Sequence, residues 1–173
     1  MSNYYNMTAK MIQKIKANKD YPFFLAFHND DYILRHDCSK DIPLRERKEP
    51  RVYRMLNPSQ KEIVVYHIDG GVITDKEVKK CDYGIYTVDD FLYLIELKGA
   101  DLETALEQIN STINILVKDK QLMVTKLNAR IVLSKVRVPD YLSTKEKLLK
   151  QLLKKNYGNG DYIKKCNSIE DTI

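Results

Sequence analysis

The stretch "FLYLIELK" (91–98) constrains this chain more than any other, because it is apolar along both alternating faces until Glu96 and Lys98. Side chains alternate across a strand. Phe91, Tyr93, Ile95 and Leu97 therefore face one way, and Leu92, Leu94, Glu96 and Lys98 the other. A strand apolar on both faces belongs in the middle of a sheet covered on both sides. An ionised carboxylate placed there is costly unless it meets a cation or a metal ion. On these two residues alone, an ion pair at the strand end explains Glu96 and Lys98 as well as chemistry does.

The preceding segment shifts that balance. "CDYGIYT" (81–87) has the β-branched and aromatic content of a second strand, and Val88, Asp89 and Asp90 form a three-residue hairpin loop. Thr87 then pairs with Phe91 and, counting back along both strands, Asp82 lands opposite Glu96. Opposed side chains have Cβ atoms ~5 Å apart, close enough for two carboxylates to hold one divalent ion. A loop one residue shorter or longer would put the two acids on opposite faces. Without a cation they repel, and one must take up a proton. Mg²⁺ (or Mn²⁺) removes the conflict, takes hard oxygen ligands and polarises a bound water for attack on phosphorus. Lys98 is placed to orient that water, assist its deprotonation or neutralise charge on a phosphate.

The rest of the chain gives an α/β element order. "KEIVVYHI" (61–68) reads as a strand that stops at "DGG". "ADLETALEQINSTINILVKD" reads as a helix with Asp101 as N-cap and one apolar stripe of Leu102, Ala105, Leu106, Ile109, Ile113, Leu116 and Val117. "ARIVLSKVRV" (129–138) is a strand closed by Pro139, and Thr144 caps a basic helix over 145–156 with Leu148, Leu149, Leu152 and Leu153 inward. "GNG" then turns the chain toward "DYIKK". Near the N-terminus, Met7, Met11, Ile12 and Ile15 recur at helical spacing over 3–18, away from Lys10, Lys14 and Lys16. "YPFFLAF" (21–27) fits strand or helix. Residues 28–60, punctuated by Pro43, Pro50 and "NPS", predict loops with a short helix or strand at most. At 173 residues and 43% apolar content, the expectation is a single ordered domain over 1–173.

An aspartate on one hairpin strand and "ELK" on the next, followed by "GADLETALEQI" in a helix, resemble the PD-(D/E)XK nuclease superfamily over about residues 61–138. The resemblance implies a restriction-endonuclease-like α/β fold, with a central mixed β-sheet flanked by helices. It implies an Mg²⁺-dependent nuclease in which Asp82 and Glu96 hold the metal and Lys98 assists hydrolysis of a phosphodiester. Cys81 stands where the superfamily's namesake proline would be. Many members add an upstream acid; Glu49 and Glu46 in "RERKEP" are the candidates, with surface charge as the other reading. Asp69 could lean toward the metal, although an aspartate before "GG" is first a turn former. Gln108 resembles a glutamine that some relatives place beside the site, against the alternative of a solvated helix flank. The implied partner is nucleic acid, DNA foremost, and because many relatives act in pairs, a homodimer is expected. The competing reading keeps the fold without turnover, as a nucleic-acid-binding or protein-interaction subunit whose acidic pair is structural.

Charge and composition bear on the partner. Residues 118–165 carry 13 basic and 4 acidic side chains, a net +9, whereas residues 1–117 carry 16 basic and 18 acidic. Such a segment attracts polyanions, and it also keeps a surface soluble. No apolar run approaches the ~20 residues of a membrane span, and the N-terminus lacks the apolar core of a secretory signal, so no membrane partner and a cytoplasmic location are expected. The three cysteines, Cys38, Cys81 and Cys166, lack zinc-site spacing and read as reduced thiols. His36 and Asp37 are adjacent, but the further histidines of a metal phosphohydrolase are missing. His28 and His67 read as packed or edge residues, and Tyr83, Tyr86 and Tyr93 as sheet core. No glycine-rich phosphate loop occurs.

Overall fold

A computed structural model describes residues 21–22, 31–46, 49–119, 122–135 and 142–173. Along them the chain runs β1 (Tyr21–Pro22), β2 (Ile33–Asp37), β3 (Asp41–Arg45), β4 (Val52–Leu56), β5 (Ile63–His67), β6 (Tyr83–Thr87) and β7 (Phe91–Lys98). Helix α1 (Leu102–Ile113) follows and continues as a π-helical turn, Asn114–Asp119. Then come β8 (Leu122–Met123), β9 (Lys126–Leu133), helix α2 (Leu142–Asn156), β10 (Tyr162–Cys166) and β11 (Ser168–Thr172).

The architecture is α/β. Six strands form a mixed sheet in the order β10-β9-β7-β6-β5-β2. β5, β6 and β7 make an antiparallel meander with β2 added at one edge, while β9 and β10 run parallel to β7 on the other side. As its two apolar faces require, β7 lies inside the sheet with both sides covered. Leu92 and Leu94 pack toward α1 and α2 with Leu106, Ile109, Leu149 and Leu153. Tyr93, Ile95 and Leu97 pack on the opposite face against a second sheet of order β11-β4-β3, through Ile42, Tyr53, Met55 and Ile169. The sheet thus lies between a helical layer and a smaller β layer.

Helix α1 forms as its sequence dictates. Asp101 caps it, accepting from the Thr104 N–H at 3.0 Å, and every residue of the apolar stripe from Leu102 to Val117 is buried. The hairpin loop spans Val88–Asp90, with Asp90 in the left-handed region that closes a three-residue turn.

Elsewhere the expectations need correction. Residues 31–60 hold three strands rather than loops. β3 and β4 bury only Ile42 and Leu44, and Tyr53 and Met55, so each strand carries too few apolar residues for a clear signal. Pro43 sits on an exposed position of an edge strand, where its missing N–H is harmless. The tail after "GNG" supplies two further parallel strands, β10 and β11, the second completing the small sheet. The turn before β10 packs so tightly that a Cβ on Gly158, at φ +60, would lie 1.8 Å from the Thr125 carbonyl oxygen. Helix α2 begins at Leu142, which puts Thr144 inside it rather than at its cap, and Leu148 is 60% exposed instead of inward. β9 covers Lys126–Leu133, three residues earlier than the expected start; residues 136–138, like the expected helix over 3–18 and most of 21–27, lie outside the described residues. No helix among the described residues is long and apolar enough to cross a membrane.

Candidate functional site

The hairpin register decides whether the two acids meet. Tyr83 pairs with Ile95 and Gly84 with Leu94, so the next step back sets Asp82 opposite Glu96, on the face that carries Leu94 and α1. The Asp82 charge is near enough to act on Glu96. Asp82 directly precedes β6 and turns its carboxylate onto the backbone of β7, where Oδ2 accepts from the Leu97 N–H at 2.7 Å. Glu96 is 1% exposed; its Oε2 has no hydrogen-bond partner, and its Oε1 lies 3.9 Å from Lys98 Nζ. Lys98, 32% exposed, reaches from this buried pair toward solvent.

Burial sets the protonation of the pair. It is the main force that pushes Asp82 up to about 6, opposed by the Leu97 N–H and by Lys98. Glu96 is pushed up to about 9, by burial first and then by the Asp82 charge, with Lys98 again pulling the other way. At neutral pH the pair without a cation therefore keeps a proton on Glu96 and a charge on Asp82. Beneath them the wholly buried Cys81 thiol is raised well above its ordinary value, by burial and then by the Glu96 charge.

Helix α1 braces the entry to β6. Gln108 Nε2 donates to the Lys80 carbonyl at 2.8 Å, and the Cys81 N–H donates to Thr112 Oγ1 at 2.9 Å. Gln108 Oε1 is buried without a partner. Gln108 therefore braces the residues that lead through Asp82 into β6, and its amide is not on a solvated flank. Lys80, which nothing in "KEVKKCD" marks out from its neighbours, is buried; it pairs through Nζ with Asp69 at 3.3 Å and donates to the Asp75 carbonyl.

The three outlying acids, Asp69, Glu49 and Glu46, each have a cationic partner of their own. Asp69 is half exposed and turned to Lys80, although its charge still raises Asp82. Glu49 and Glu46 both pair with Arg51, at 3.3 and 3.4 Å. It is Glu46, not Glu49, whose charge acts on Asp82, Glu96 and Tyr83. Glu46 directly follows the last residue of β3, and that strand end carries it toward the hairpin. Nothing in "RERKEP" separates the two glutamates without knowledge of where β3 stops.

Among the described residues, no three His, Cys, Asp or Glu side chains come together at metal-ligand spacing. The donor set is the Asp82 and Glu96 carboxylates. Two hard oxygen ligands, one of them with an orphaned buried oxygen, fit Mg²⁺, which keeps several waters and relies on one or two carboxylates plus substrate phosphate. No family model, no curated protein and no solved structure matches this chain.

Proposed function

We propose that the chain is an Mg²⁺-dependent nuclease of the PD-(D/E)XK type, with a restriction-endonuclease-like core made of β5, β6, β7, α1 and β9. One observation carries the proposal: the hairpin register brings Asp82 and Glu96 face to face in a nearly dry site with Lys98 at its mouth. A structural ion pair does not need the second acid. Burying two ionised carboxylates beside a single lysine is unfavourable unless a further cation joins them or one takes up a proton.

In this reading Asp82 and Glu96 hold the ion, which when bound supplies Lewis-acid activation of water and of the scissile phosphate. The Leu97 N–H holds Asp82 Oδ2, which leaves Oδ1 as the oxygen that would take the ion. Glu96 would have to be ionised to hold it. Lys98, as a cation, would stabilise charge on the phosphate and orient the attacking water. Gln108 acts through the Lys80 carbonyl as a positioning residue. Lys147, Lys150, Lys154 and Lys155 on the solvent side of α2 supply phosphate contacts to nucleic acid, DNA foremost. Two copies acting together would cut one strand each.

A second reading, a non-catalytic nucleic-acid-binding or protein-interaction subunit, is favoured by the protonated Glu96, because a neutral acid beside one carboxylate needs no metal. Thermal melting against Mg²⁺ or Mn²⁺ separates the two, since an ion bound to the folded chain raises its stability as ln(1 + [L]/Kd). Stabilisation of the wild type but not of Asp82→Ala supports a metal site. Cleavage of labelled single-stranded, duplex and branched DNA and of RNA, abolished by Glu96→Ala and Lys98→Ala, supports turnover; cleavage that survives both substitutions ends the proposal.

A further inference from the structure

Charge is spread unevenly across the six-stranded sheet, and the unevenness is arranged around the acidic pair. Glu96 is in register with Ile131 of β9, and Ile131 with Lys164 of β10. Partners in register point to one face, so Lys164 stands on the helix side in the row of Asp82 and Glu96, two strand spacings or roughly 10 Å from Glu96. Lys98 continues in the same way through Leu133 to Cys166. β10 is the outer strand at this edge.

Helix α2 packs on β10 and turns its cations outward. Glu146, its only acid, is buried and engaged by β10, accepting from the Tyr162 hydroxyl at 2.8 Å and from Lys164 Nζ at 2.7 Å. Lys147, Lys150 and Lys154, three and four residues apart, share one exposed stripe. Lys150 Nζ lies 5.6 Å from the centre of the Tyr162 ring, which sets the stripe beside β10, where Lys165 is exposed as well. From Lys147 to Lys154 the stripe runs about 10 Å, over which a duplex strand presents about three phosphates. The other flank of the pair is acidic. Asp69 lies just beyond β5. β11 packs beside β9 and β10, and Glu46 follows β3 at the far side of that small sheet. The charges of both acids reach Asp82. A polyanion at the acidic pair is therefore repelled on the β5 side and attracted on the β10 side.

We propose that nucleic acid lies asymmetrically on this chain, its footprint extending from the acidic pair over β10 and α2, with phosphates on Lys147, Lys150, Lys154 and Lys165, and not over β5. The position of the cut rests on the nuclease reading; the track rests on charge and register. The substrate is then a nucleic acid that continues past the cut on that side, not a mononucleotide.

Binding of a fluorescein-labelled duplex DNA in chelating buffer, where nothing is cut, is measured by anisotropy at several salt concentrations. Lys147→Gln, Lys150→Gln and Lys154→Gln together should flatten the plot of log K against log salt by about 2.7, at about 0.9 per phosphate contact. Changing three exposed lysines elsewhere, Lys40, Lys76 and Lys118, should leave the slope as it is. A slope that the α2 variant leaves unchanged, or that both variants flatten equally, overturns the proposal. The two exposed cysteines read the side directly, since Cys81 is buried and takes no label. A photo-crosslinker on Cys166, in Cys38→Ser, should capture the DNA. On Cys38, which follows β2 at the opposite sheet edge, in Cys166→Ser, it should not. Capture through Cys38 alone, or equally through both, also overturns the track. Binding and capture as expected, with no cleavage of any nucleic acid in Mg²⁺, would keep the track and end the nuclease reading; cleavage without capture at Cys166 would do the reverse.

Discussion

Replacing Glu96 by glutamine should make the metal-free protein less sensitive to alkaline pH. Asp82 and Glu96 hold their protons more tightly in the folded chain, at about 6 and about 9, than the ordinary 3.8 and 4.5. Their contribution to stability is therefore complete below those ordinary values and is lost as pH rises through the folded ones. Between about pH 6.5 and 8.5 Asp82 is largely ionised in both states, and Glu96 alone accounts for one excess bound proton. Each pH unit then costs about 1.4 kcal/mol, or roughly 2–3 kcal/mol across the window. In a chain of this length that is a fall in Tm of about 5–10 °C. Glu96→Gln keeps the shape and removes the titration, so the difference between wild type and variant isolates this one group from the background. The assay is calorimetric or circular-dichroism melting in a chelating buffer at several pH values. Equal pH slopes in the two proteins, or a wild type that gains stability toward alkaline pH relative to the variant, would refute the burial argument.

Other expectations follow from the same geometry. Mn²⁺ should stabilise the wild type more at high pH than at low, because the ion competes with the proton on Glu96; a pH-independent shift would place the ion elsewhere. Lys98→Ala should lower cleavage about a hundredfold or more while leaving Tm nearly unchanged, since Lys98 is partly exposed and its ion pair is long; a matching loss of stability would make it structural. Asp101→Ala removes the cap of α1 and should cost about 1 kcal/mol in a denaturant titration. Asp171→Ala should cost about 3 kcal/mol, because Asp171 accepts from Arg130 Nε at 2.6 Å and from the Tyr53 hydroxyl at 2.9 Å, and its loss strips a buried guanidinium of a main partner. A loss under 1 kcal/mol there would mean that Asp161, 2.8 Å from Arg130, suffices alone.

The hairpin was legible because its signals are local and redundant. A run apolar on both faces, a turn of fixed length and a period of two leave one register that buries Leu92 and Leu94 together with Gly84 and Tyr86. Helix α1 was legible for similar reasons, with a capping aspartate and an unbroken stripe. The small sheet was not, because β3 and β4 are half-solvated strands whose partner, β11, lies more than 110 residues further along. Nothing in "SIEDT" marks it as a strand until Tyr53 and Ile169 are known to share a core. The start of α2 was misplaced because Thr144 and Leu142 both suit a helix beginning, and tertiary burial of Leu142 decides between them. The acids sort along the same line. Asp82 and Glu96 follow from register, whereas the choice of Glu46 over Glu49 depends on where β3 ends, and Asp69 is withdrawn by a lysine that looks like any other.

The most direct test is anomalous diffraction from a crystal soaked in Mn²⁺. One manganese peak between the Asp82 and Glu96 carboxylates, about 2.2 Å from an oxygen of each, is expected. Full carboxylate density with no peak, Glu96 still facing Asp82 and Lys98 alone, would show that the acids are structural, and the proposed chemistry would fall with them.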